Sequence, residues 1–146
     1  MFTMIASLLD RLLRPGRDWV LVSVAMYLLA CVLPAINIGS ARISGFECLI
    51  SMMFFHPSWW ANPTYFVAVI ASLLNRTRTA VVFAVVAALL AVFYILEGFY
   101  NHGVTQTMNG LEPGCHVWIA SLLLLAWHEL WRQWQKSLDR GPDESA

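Results

Sequence analysis

Charge is scarce in this chain. Lys, Arg, Asp and Glu make up 12% of its 146 residues, about half the share of an ordinary soluble domain, while 59% are hydrophobic. The 9 basic and 9 acidic side chains cancel, and no basic patch stands outside the helix flanks, which excludes nucleic acid as a partner. Long polar stretches are also missing. None reaches the ~50 residues of a small domain, so a soluble catalytic domain is excluded.

Catalytic and metal-binding patterns are equally thin. The chain has three cysteines and no C-x-x-C, too few for a quinone-linked disulfide oxidase with two outward pairs. His102, His116, Cys48 and Cys115 match no zinc template in their spacing. "HELWR" at His128–Arg132 lacks the second histidine of a zincin helix. There is no G-x-S-x-G, P-loop or convincing carboxylate pair. The expectation is a protein that is not an enzyme and holds no metal or cofactor.

What is present is a series of apolar runs. "WVLVSVAMYLLACVLPAI", Trp19 to Ile36, has 18 residues without a charge, enough to enter a ~30 Å hydrocarbon core. Thr79–Leu96 and Cys115–Trp131 are similar, and an irregular fourth run spans 45–74. The predicted class is all-α: an integral-membrane four-helix bundle with spans at about 18–36, 47–75 (broken), 79–97 and 115–134, within a membrane domain covering 17–136. Eight of the 9 Lys and Arg residues fall in the N-terminal arm, the gap after span two and the tail, with Arg42 the one exception. That bias predicts an inner-membrane protein with both termini cytoplasmic. Trp19, Trp59, Trp60, Trp118, Trp131 and Trp134 lie near the expected span ends, where amphipathic rings prefer the interface.

The ends read differently. Residues 1–16 place Ile5, Leu8, Leu9, Leu12 and Leu13 on one helical face, which predicts an amphipathic helix on the inner leaflet rather than a cleaved leader. Residues 137–146 read as a disordered cytoplasmic tail.

Residues 45–66, "GFECLISMMFFHPSWWANPTYF", carry polar groups inside an apolar span. Pro57 and Pro63 cannot share one straight helix, since each removes a backbone donor. Asn62 followed by Pro63 predicts a helix start with an amide cap. A helix from Pro63 to Asn75 is too short to cross alone, so the preceding segment must complete it. Broken backbone at membrane depth is tolerated only where protein or water satisfies it. Glu47, His56 and Asn62 either staple the break or line a polar pocket on the outer side.

Two further features bear on assembly. Ala80, Ala84, Ala87, Ala88 and Ala91 form a small-residue stripe, for a seam within the bundle or for a homo-oligomer. Cys48 and Cys115 both map to the outer side and are candidates for a disulfide in an oxidising periplasm. Glu129, near the cytoplasmic end, is placed to pair with Arg132 or Lys136.

"LPAINIG" (Leu33–Gly39), "SGFECL" (Ser44–Leu49) and "ANP" (Ala61–Pro63), in that order, resemble a pattern in small, uncharacterised bacterial inner-membrane proteins of four spans. The likeness covers roughly residues 20–100 and departs at the Pro57-containing "FFHPSWW". It implies a four-span layout and no activity. In size and layout the chain is also similar to immunity proteins that guard bacteria against membrane-acting toxins. The partners expected are therefore the lipid bilayer and another membrane-inserted chain such as a pore-forming toxin. Glu47, His56, Asn62, Glu97 and His102 are the candidate contacts. The alternative is a subunit of a small transporter or channel.

Overall fold

Proline and its neighbours decide where most of the helices begin and end. In the computed structural model, which describes residues 18–38, 41–50 and 57–139, α1 runs Asp18–Val32. It stops there because Leu33 precedes Pro34, a position that disfavours helical backbone. The apolar run then continues as strand β1 (Pro34–Ile38), paired antiparallel with β2 (Ala41–Ser44). Residues 34–36, expected as the end of a first span, are thus the start of a hairpin.

Ser44 closes the hairpin and opens the short helix α2, Gly45–Ile50. The Ser44 amide and hydroxyl both donate to Glu47 Oε2, at 2.7 and 2.8 Å, and the Glu47 amide returns a 3.3 Å bond to Ser44 Oγ. This is a capping box, which satisfies orphan amides at a helix start. A 3₁₀ turn, Pro57–Trp60, leads into α3, Ala61–Leu73. Residues 47–75 are therefore interrupted among the described residues, with His56 lying outside them. The helix begins two residues before Pro63, and Asn62 does not cap it, since its side chain turns toward other helices.

α3 ends in a Schellman motif. Arg76 N donates to Ala71 O and Asn75 N to Ser72 O, while Asn75 takes a left-handed φ of 59°; Asn is the residue other than glycine that tolerates this best. α4 then runs Thr77–Gly110. The expected outer connector at 97–114 is helical as far as Gly110, because no proline interrupts residues 77–112. α5, Pro113–Leu138, starts with proline in its first turn after an extended Glu112. It reaches into the stretch read as tail. The N-terminal arm, 1–16, and residues 140–146 lie outside the described residues.

Four of the five described helices pack around one core, α1 beside α5, α5 beside α4 and α4 beside α3. The gap between α1 and α3 is filled by Tyr27 and Tyr65, stacked at 4.8 Å between ring centroids and 8° between planes. α4 shows how the packing is encoded. Ala80, Ala84, Ala87, Ala88 and Ala91 are buried, while Val82, Val86, Leu89, Phe93 and Leu96 recur every three or four residues on the exposed side. Small residues face the neighbours and bulky apolar ones face outward.

Thr77–Leu96 is long and apolar enough to cross a membrane, and only 33% of its most apolar window is buried against the rest of the protein. By length and composition it is the sole such stretch among the described residues. α1 is apolar but has 15 residues, α3 has 13, and α5 dilutes its leucines with His116, His128 and Glu129. The expectation of four crossings thus reduces, on this measure, to one.

Candidate functional site

The hairpin, α2 and the start of α5 converge on the last turn of α1 through two glycines. A Cβ at Gly45 would collide with the Ala30 carbonyl oxygen and stand 3.1 Å from Cys31 Cα. One at Gly114 would stand 2.7 Å from Pro34 O and 2.8 Å from Leu33 O. Glycine is required at both places for this close approach. Backbone bonds lock the junction: Gly45 N to Leu33 O and Glu112 N to Ala35 O, both 3.0 Å. Arg42 of the hairpin sits 4.0 Å from Glu112.

Between these segments lies a cavity of about 80 Å³, lined mainly by apolar atoms. Cys31 of α1, Cys48 of α2 and Cys115 of α5 all open onto it, with Trp59, Asn62 and Trp118 among the other walls. Every cysteine of the chain therefore faces one space, and all three are free thiols. The two thiols picked from the sequence as a disulfide pair line the same cavity, unbonded.

Asn62, buried in the first turn of α3, organises the cavity floor. Its Oδ1 accepts from Tyr27 Oη and from Trp118 Nε1, each at 2.9 Å, and its Nδ2 donates to Trp59 O at 3.1 Å. Trp59 Nε1 in turn donates to Leu49 O at 3.1 Å. One amide thus ties α1, α3, α5, the 3₁₀ turn and, through Trp59, α2. One helical turn below, Ser23 donates to Ser121 O at 2.8 Å, so Tyr65 Oη is the donor in its 2.8 Å bond to Ser23. These neutral bonds bury polar groups with partners, as an apolar interior demands.

Charge appears at the opposite end. Glu129 on α5 is 0% exposed. Its Oε1 accepts from Ser72 Oγ at 2.5 Å and lies 3.6 Å from Arg132 Nη1 and 3.9 Å from His128 Nε2. Its Oε2 has no hydrogen-bond partner among the described residues. Arg132 Nη2 donates to Asn75 Oδ1 at 2.8 Å and Lys136 Nζ to Thr77 Oγ1 at 2.6 Å. Spaced three and four apart, these α5 side chains grip the α3–α4 turn point by point. Sequence reading placed Glu129 at an ordinary helix end; the structure buries it completely.

The other candidate contacts do not gather here. Glu47 is exposed on α2, and the bonds from the Ser44 amide and hydroxyl hold its carboxyl below the usual range. The backbones of Glu97 and His102 belong to α4, but their side chains, like all of His56, are outside the described set. No group of three His, Cys, Asp or Glu suited to a metal ion occurs among the described residues. Sequence reading missed the cavity, Tyr27 and Trp118. The fragments "LPAINIG", "SGFECL" and "ANP" were the available signal, since each supplies part of its wall or floor. The chain matches no protein-family model, no curated protein and no solved structure.

Proposed function

We propose that the chain is a four-pass bacterial inner-membrane protein, non-catalytic, that binds and neutralises another membrane-inserted protein such as a pore-forming toxin. The observation that carries the membrane part is its inverted polarity. Ser23, Ser72, Ser121, Asn62 and Glu129 are inside, whereas Leu28, Val32, Ile70, Leu89, Phe93 and Trp127 are outside, Val32 at 78% exposure. Outward bulk of this kind, on α1, α3, α4 and α5 alike, suits lipid tails and is unfavourable in water. Trp19 on α1 and Trp131 and Trp134 on α5, all exposed, mark one interface near Arg132 and Lys136.

In this orientation both termini are cytoplasmic and the hairpin end faces outward. α3 is about 20 Å long, so the 3₁₀ turn completes its passage, enclosed by protein as broken backbone must be. α2 stands outside the crossing helices. It offers exposed Phe46 and Ile50 as an apolar patch on the outer end. That patch supports binding to a chain already in the bilayer.

Phosphatase fusions inserted after Asn37 and after Asn75 test the orientation: activity at the first and none at the second is expected, and the reverse overturns it. Deleting the gene and following membrane potential in mixed sibling cells tests protection. Depolarisation that disappears when the neighbouring toxin gene is also removed is the expected result; unchanged potential and growth sink the proposal. The transporter or channel alternative draws on the open oxygen of buried Glu129. It requires solute or proton flux in proteoliposomes that Glu129→Gln abolishes.

A further inference from the structure

We infer that Cys48 and Cys115 are a redox clasp that closes the cavity at the hairpin end. The inference takes its oxidising compartment from the orientation proposed above. Its geometry comes from the two glycine contacts, which hold Gly45, three residues before Cys48, and Gly114, next to Cys115, against the same stretch of residues 30–34. Both residues line the one cavity, Cys48 from α2 and Cys115 from the start of α5. Cys31 lines the same space from α1, on the fixed backbone against which Gly45 rests.

The two segments differ in compliance. α5 is pinned at its start by Pro113, Gly114 and the Glu112–Ala35 bond, and Cys115 is buried. α2 is held at Gly45 by the Leu33 bond and at Leu49 by Trp59 Nε1, but it has only six residues and none of them is buried. A disulfide needs Cα atoms about 4–7 Å apart, so α2 is the element that moves to make the bond. Moving it toward α5 draws Cys48 and Leu49 across the cavity they line.

The oxidant is a disulfide, supplied by a small-molecule or protein thiol couple. Cys48 loses its proton to solvent, and its thiolate attacks one sulfur of that disulfide; a mixed disulfide forms and one thiolate leaves. Cys115, deprotonated in turn, attacks the Cys48 sulfur and releases the second thiolate. Two electrons pass from the cysteine pair to the oxidant, which ends as two thiols.

The test uses the purified full-length protein in detergent micelles, with oxidised glutathione as probe. After denaturation, a polymer-linked maleimide counts free thiols. Three labels are expected on the reduced protein and one after oxidation, with peptide mapping joining Cys48 to Cys115. Cys48→Ser should keep two labels in both states, whereas Cys115→Ser, with no thiol to resolve the mixed disulfide on Cys48, should fall from two labels to one and carry glutathione at Cys48. Three labels on the oxidised wild type, or a mapped bond that includes Cys31, overturns the clasp. Cys31 also reports on closure, because it lines the cavity. Its alkylation by N-ethylmaleimide should slow roughly tenfold on oxidation, as access falls; an unchanged rate overturns the closing role. In intact cells first treated with a membrane-impermeant phosphine to reduce outward disulfides, failure of a membrane-impermeant maleimide to reach Cys48 defeats the orientation proposed above, while the titration on purified protein still decides the clasp.

Discussion

The two ends of the bundle solve the same problem with different chemistry. At the hairpin end, helices meet through a neutral amide, two indoles, a phenol and hydroxyls; at the turn end, they meet through Glu129, Arg132 and Lys136. The neutral set is closed, since each bond made by Asn62 ends on another protein group. The charged set is asymmetric, with one carboxylate oxygen held and the other open. Neutral networks cost little to bury and fix the shape of the cavity beside them. Charges in the interior are expensive, and in the orientation proposed above they form a cationic end on the cytoplasmic side.

The comparison can be broken most forcefully at the charged end. Arg132→Ala removes the guanidinium facing a fully buried carboxylate and should cost about 3–5 kcal/mol, read as a lowered midpoint of denaturant unfolding in micelles. Adding Glu129→Gln to it should restore much of that loss, because no charge is then stranded. At the neutral end, Asn62→Leu leaves the Tyr27 hydroxyl and the Trp118 indole without their acceptor. The expected loss is about 1–3 kcal/mol by the same measurement, with a red-to-blue change in indole fluorescence as the floor rearranges. Tyr27→Phe removes one of those donors and keeps the ring stack, so it should cost only about 0.5–1.5 kcal/mol. If it equals Asn62→Leu, the network is not organised by the amide.

The smallest effect belongs to Glu47, whose carboxyl is lowered by hydrogen bonds from Ser44 and fully exposed. A carboxyl lowered in the folded state contributes stability above its unfolded pKa and loses it as pH falls through the folded value. The Ser44 amide resonance should therefore titrate with a midpoint below the ordinary glutamate range. Ser44→Ala should move the Glu47 midpoint up toward that range, and no movement would show that the capping box is not the cause.

How far the sequence foretold this depends on the range over which each signal acts. Pro57 and Pro63 mark the interruption because a missing backbone donor is a local fact. The alanines of α4 fall on one buried face because three-and-four spacing is a helical period. The hairpin was legible in principle, since Ile36, Ile38 and Ile43 flank Gly39 and Ser40, but the apolar count of the preceding run concealed it. The cavity was not legible. Cys31, Cys48 and Cys115 are far apart in the chain, and they line one cavity because Gly45 rests on Ala30 and Gly114 on Leu33 and Pro34. The pairing of Glu129 with Arg132 followed from helical spacing on α5, but the burial of Glu129 did not, because its partner Ser72 belongs to α3 and Asn75, which Arg132 holds, to the turn after it.

The amide oxygen of Asn62 carries two lone pairs, and Tyr27 and Trp118 have taken both. A guest entering beside it finds that acceptor already occupied on its inner wall. Methyl, sulfur or halogen surfaces would gain contact there without a rival, whereas an alcohol or an amine would find no open acceptor at that oxygen. Selection at this spot is by outline and polarisability.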